Sequence, residues 1–167
     1  QSGVAKALVH ALGEGGVQAR VVDTWSSELT GLIYLGGLAT LETPSEGANV
    51  AATAFLLAQD IVRAQPKSVF VTVQRTGGDF GTGGAVAEHG AWTAGLTGLV
   101  RTLAIEQAEM SVKAIDLETA DRSAEALATA LTGELLYGGP ELAVGLKADG
   151  SRRVPSQVEA AVAVSPG

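Results

Sequence analysis

GLIYLGGLATLETPSEGANVAATAFLLAQDIVRAQPKSVFVTV, residues 31–73, is the stretch whose reading decides the fold. It opens on an apolar strand, Gly31-Leu32-Ile33-Tyr34-Leu35, and turns at Pro44, with Ser45 placed to cap a helix. Ala51, Ala54, Phe55, Ala58, Ile61 and Val62 then fall on one helical face. Pro66 stops that helix, and Val69-Phe70-Val71-Thr72-Val73 reads as a buried, β-branched strand. Two strands joined through a helix of this length are parallel neighbours, because antiparallel ones need only a short turn.

Outward from this unit the same alternation repeats. A glycine-rich run from Thr76 to Gly84 predicts a mobile surface loop. Helical spacing returns at Leu96, Leu99, Val100, Leu103 and Ala104, where Gly95 and Gly98 share a face and predict close approach to a neighbour. Val112 to Leu117 is another strand. Ser123 caps a helix carrying Leu127, Ala130 and Leu131, which Gly138-Gly139-Pro140 ends, and Leu142 to Leu146 is the last strand of the core. On the N-terminal side, Val4, Ala5, Leu8, Val9 and Leu12 mark a helix ended by Gly15-Gly16. Val17, Ala19 and Val21 alternate as a short strand closed by Asp23. The pattern predicts an α/β fold with a doubly wound parallel sheet. It is a truncated Rossmann-like one, since the usual opening strand is missing ahead of Val4. Residues 1–155 form one subdomain, and 156–167 read as a C-terminal linker, Ala/Val-rich and ending in Pro-Gly.

Length agrees with a single unit: 167 residues suffice for a core without disulfides or metals. With 11 basic against 18 acidic residues the net charge is −7, the wrong sign for neutralising phosphates, so no nucleic-acid partner is expected. Zero cysteines exclude thiol catalysis and Cys-based metal sites, and fit a cytoplasmic location. No apolar run reaches the length of a membrane span, and no signal peptide opens the chain. Gln1 at the start and a sole methionine at Met110 predict a piece of something longer.

Candidate chemistry is sparse. A dinucleotide site needs a strand, a glycine turn and a helix N-terminus to hold pyrophosphate, and only Gly3 represents that turn. Asp23 lies at the distance expected of a ribose ligand and is the one cofactor-binding candidate. The glycine run lacks the Gly-Lys-Ser/Thr ending of a phosphate loop. His10 and His89 have no cysteine partners, so no metal site is expected. No Gly-x-Ser-x-Gly elbow occurs, and Glu106 and Glu109 read as a solvated helix face.

Residues 31–38 (GLIYLGGL), 70–81 (FVTVQRTGGDFG), 94–106 (AGLTGLVRTLAIE) and 113–117 (KAIDL) carry a resemblance. Together they are similar to the N-terminal structural subdomain of ketoreductase regions in type I polyketide synthases and polyunsaturated-fatty-acid synthases. That family is a short-chain dehydrogenase duplicated into a structural and a catalytic half. The resemblance implies a catalytic Ser, a Tyr and a Lys four residues after it. Here Thr76 falls near the Ser position, His89 at the Tyr position and Thr93 at the Lys position. Neither Tyr34 nor Tyr137 is followed by a Lys at that spacing, so no catalytic residue is expected in this segment. His89 reads instead as a helix N-terminal residue beside the loop. The expected role is a scaffold for the catalytic half, where NADPH would bind; no cofactor is expected here. The partners implied are that half and neighbouring domains of the same polypeptide, with no membrane. The alternatives are a free-standing NAD(P)-binding short-chain dehydrogenase/reductase, and a nucleotide-free binding or dimerisation module.

Overall fold

The structure, a computed structural model, describes residues 2–65, 67–83 and 89–159. Pro66, Gly84 and the linker beyond residue 159 lie outside the described residues. The elements run α1 (Ser2–Glu14), β1 (Gly31–Gly37), α2 (Pro44–Ala64), β2 (Val69–Gln74), α3 (Gly95–Glu106), β3 (Ser111–Leu117), α4 (Ala124–Tyr137), β4 (Ala143–Leu146) and β5 (Arg152–Arg153). A 3₁₀ turn, Gly90–Thr93, leads into α3. One sheet holds all five strands in the order β1-β2-β3-β4-β5, parallel from β1 to β4 with β5 antiparallel at the edge. This is an α/β fold with a truncated, Rossmann-like, doubly wound sheet.

Strand periodicity splits the core into two layers. Val71 and Val73 of β2, Ile115 and Leu117 of β3 and Val144 of β4 face α1 and α4, meeting Leu8, Leu12, Leu127 and Leu131. Phe70 faces the other way, into Ala58 and Ile61 of α2 and Leu103 of α3. Both layers are needed, which explains why β2 is apolar at nearly every position. The strand order advances in one direction from β1 to β4, yet α2 and α3 cover one face and α4 the other. The crossover through α4 therefore has the opposite hand to the first two. Most parallel crossovers share one hand, so one of these connections is of the rare kind.

Local signals act much as their chemistry dictates. Ser123 accepts the Ala126 N–H at 3.2 Å and caps α4. For α2 the cap is Thr43, with Pro44 at the first helical position. Ser45 is displaced from that role because Pro44, having no N–H to lose, fits the first turn and places the cap at Thr43, two residues back. Gly95 and Gly98 are exposed, and a Cβ added to either meets nothing within 4 Å. The close approach read from their spacing is absent, since Leu96, Val100 and Leu103 form the buried face of α3 instead.

Residues 17–22 are not a strand. Val17 and Val21 are 40% and 59% exposed, and the segment has no ladder partner in the sheet. Alternation alone does not make a strand; a neighbour with open N–H and C=O groups at ladder distance is required. Beyond β4, the chain turns at Asp149-Gly150, with Gly150 at φ +84°, and returns as β5. Asp-Gly is a hairpin signal, and it extends the sheet past Leu146. Arg152 locks this return. It donates to Glu134 at 2.8 Å and to Glu141 at 2.7 Å, while Lys113 reaches Glu134 at 2.6 Å. Burial works against the Glu134 charge, but the Arg152 and Lys113 bonds outweigh it and hold that carboxyl below its ordinary range. Among the described residues no helix is long and apolar enough to cross a membrane.

Candidate functional site

In open α/β sheets, ligands bind beyond the carboxyl ends of the strands. Here that crest is where β2 ends in Gln74 and β3 in Asp116-Leu117, and where the glycine-rich loop begins. The loop folds down onto the strands. Its anchor is Asp116, fully buried, which accepts the Thr76 N–H at 2.5 Å on Oδ1 and the Phe80 N–H at 2.7 Å on Oδ2. Burial pushes this carboxyl up, and the N–H bonds from Phe80 and Thr76 pull it down without cancelling the shift. On the far side, Lys147 donates to the Gly77 carbonyl at 2.8 Å and pairs with Glu118 at 3.1 Å and Asp79 at 3.6 Å. Gly78 and Gly145 meet backbone to backbone: a Cβ on Gly145 would collide with the Gly78 carbonyl. Two glycines are required because no side chain fits between loop and strand. Positive φ at Gly77, Gly78, Phe80 and Gly81 lets the loop turn tightly enough to present its N–H groups inward.

The described part of the loop, 76–83, is thus anchored at both flanks. Composition suggested mobility, but the carboxylate that holds the loop sits 40 residues away in sequence. A signal did exist: an aspartate inside the apolar strand Ala114-Ile115-Asp116-Leu117 must find donors.

Next to the anchor runs a string of hydrogen bonds. Thr97 Oγ1 donates to Gln74 Oε1 at 2.9 Å, and Gln74 Nε2 donates to Thr76 Oγ1 at 2.9 Å. The Thr76 hydroxyl in turn bonds the Asp116 carboxylate. Gln74 and Thr76 each both accept and donate within the string, which ties these side chains to one another. Thr93, 2% exposed, turns its hydroxyl back to the Gly90 carbonyl at 3.0 Å. His89 precedes the 3₁₀ turn and stacks on Trp92, with ring centroids 4.4 Å apart. The structure therefore joins Thr76 to Gln74, Thr97 and Asp116, while His89 and Thr93 each make separate, local contacts. A cavity of about 360 Å³ beside this crest is lined by Gln74, Phe80, Thr82, Thr97, Arg101 and Pro155. Its two threonines are committed elsewhere, Thr82 to the Asp79 carbonyl and Thr97 to Gln74.

Asp23 is exposed and stands on the unpaired coil after α1, on the wall of a different and larger cavity along β1. It does not end a strand, because 17–22 is not one. Among the described residues no set of three or more His, Asp or Glu side chains is gathered to hold a metal ion. The fold and this crest define a doubly wound α/β protein whose loop at the carboxyl ends of β2 and β3 is closed by its own side chains. No protein-family model matches the chain, and no match emerges among curated protein sequences.

Proposed function

We propose that this chain is a non-catalytic structural subdomain that scaffolds the catalytic ketoreductase half of a polyketide or polyunsaturated-fatty-acid synthase. One observation carries the reading. At the crest of the sheet the loop N–H groups of Thr76 and Phe80 donate to Asp116, so the chain's own carboxylate takes the donors that a bound ligand would need there. The groups standing near the family's Ser and Lys positions, Thr76 and Thr93, are likewise committed within the chain. In this reading NADPH belongs to the catalytic half, the partners are that half and neighbouring domains of the same cytoplasmic polypeptide, and neither nucleic acid nor membrane is bound.

The test is calorimetry with NADPH, together with NADPH consumption in the presence of a bicyclic ketone, on wild type and on the His89→Tyr/Thr93→Lys double variant. General acid catalysis supplies typically about 10²–10⁴-fold, but only on a hydride donor already positioned. Two restored side chains do not replace the missing N–H cradle, so neither protein should turn over ketone. Micromolar NADPH binding by wild type, or turnover by the double variant, would favour the free-standing dehydrogenase and return Asp23 to a ribose-binding role. Sequencing the gene beyond residue 167 gives an independent check. The scaffold reading expects a glycine-rich nucleotide loop followed by Ser, Tyr and Lys at family spacing.

A further inference from the structure

A groove of about 1200 Å³ runs along the outer side of β1. Its floor is a sheet edge. Thr30 O accepts from Val69 N, so in the parallel ladder Leu32 and Tyr34 address β2, while the N–H and C=O of Gly31 and Ile33 point outward. Those outward groups have no ladder partner among the described residues. The walls are apolar on both sides of the sheet plane: Leu12 and Leu136 from the α1/α4 layer, Val50 and Leu57 from α2. Across the groove lies the coil 17–24, whose alternating valines lack a ladder.

We infer that this groove receives an extended polypeptide segment, apolar on both faces, which adds to β1 as a strand. Three features select that occupant. The floor offers main-chain donors and acceptors at strand spacing, which a backbone matches and a small apolar molecule leaves unpaired. Both walls are apolar, so alternate side chains of the occupant are met by helices above and below, as those of β2 are. The strand-like alternation of 17–21 also acquires a reason, since an inserted segment would give it a neighbour. A second copy of this chain would have to bring its own β1 edge, with the α2 and α1/α4 walls on either side of it, against this one, so self-association is read out separately in the test. The inference is independent of any role in ketoreduction.

The probe is a synthetic peptide carrying the β2 pattern, Val-Phe-Val-Thr-Val flanked by lysines, titrated into the isotope-labelled chain. Amide exchange is followed by NMR and molecular mass by light scattering. The expected result is saturable binding to a monomeric chain, with exchange at Gly31 and Ile33 slowed by roughly tenfold or more. The same peptide methylated at alternate backbone nitrogens should not protect them. Ile33→Pro removes one outward N–H without touching the β2 ladder and should weaken binding. Should that variant fail to fold, Val21→Lys at the exposed far wall gives the same test. Three results would overturn the inference: no protection up to the solubility limit of the peptide; protection of Gly31 and Ile33 without peptide in a chain that dimerises; or decanoate filling the groove while the peptide leaves both amides unchanged.

Discussion

Along the carboxyl ends of β2 and β3, the loop brings N–H groups down onto a buried carboxylate, and a lysine closes over its carbonyl from the other side. Along the outer side of β1, the strand next to β2, Gly31 and Ile33 present their main-chain groups to an open apolar groove. The same sheet is thus finished at one border and unfinished at another. Both borders face the same requirement, that a half-buried backbone find partners. At the crest the partners come from the chain itself, 40 residues away at Asp116 and 70 away at Lys147. At the edge no described residue pairs with the outward main-chain groups of Gly31 and Ile33. A closed border can be rigid and chemically silent, while an open one is a place for another segment to arrive.

The largest expected break in this contrast is Asp116→Ala. It orphans the Thr76 and Phe80 donors together, at about 1–3 kcal/mol for each buried unsatisfied group, so a loss of about 3 kcal/mol is expected in urea unfolding. A loss under about 1 kcal/mol would mean that water replaces the carboxylate and that the crest is not closed. Titration sharpens the point. Folding raises the Asp116 carboxyl above its unfolded value of about 3.9. The protonated form is therefore the one that folding favours: its contribution is full below the unfolded value and lost as pH rises through the folded one. The Asp116→Asn variant lacks this titration, so wild type should gain stability relative to it as pH falls from neutrality. A gap that moves the other way would show the charged anchor to be the favoured form.

Gly145→Ala comes next. Its methyl group meets the Gly78 carbonyl, so loop and strand must separate at a cost of about 1–3 kcal/mol from overpacking. Exchange at the Thr76 and Phe80 amides should rise with it; unchanged exchange would mean that β4 shifts and the loop stays.

Smaller and opposite in sign is Gly98→Ala on the open face of α3. With nothing within 4 Å it should stabilise the fold by about 0.5–1 kcal/mol from helix propensity alone, read as a higher unfolding midpoint. A destabilised variant would restore the close approach that the Gly95/Gly98 spacing suggested. Smallest of all is Val21→Thr at the open border, expected within about 0.5 kcal/mol of wild type because its side chain is mostly exposed. A larger loss would show that 17–22 already contributes to the edge.

The fold was readable where each element answers to its own neighbours in sequence. Phe70 and Val71 both need burial, so β2 had to lie between two helical layers, and Ser123 capped its helix as its hydroxyl predicts. The candidate site was hardly readable. Thr76 stood near the Ser position that the resemblance implies, but what uses its hydroxyl is Gln74 and Asp116, and Asp116 was given no role by the sequence reading. His89 was placed correctly beside a helix start, whereas its stack on Trp92 depends on the 3₁₀ turn between them.

Sequence by itself determined the alternation of strands and helices, the parallel pairing that follows from helical crossovers, and the absence of cysteine and of a Tyr/Lys pair. These are properties of spacing and side-chain type, carried within a few residues. Tertiary structure alone decided that 17–21 would lack a ladder, that Gly95 and Gly98 would face outward, that the crossover through α4 would take the opposite hand, and that Asp116 would hold the loop. Each of those depends on which surfaces meet across tens of residues. A strand without a neighbour, or a carboxylate without a donor, has no local pattern that distinguishes it from one that is satisfied.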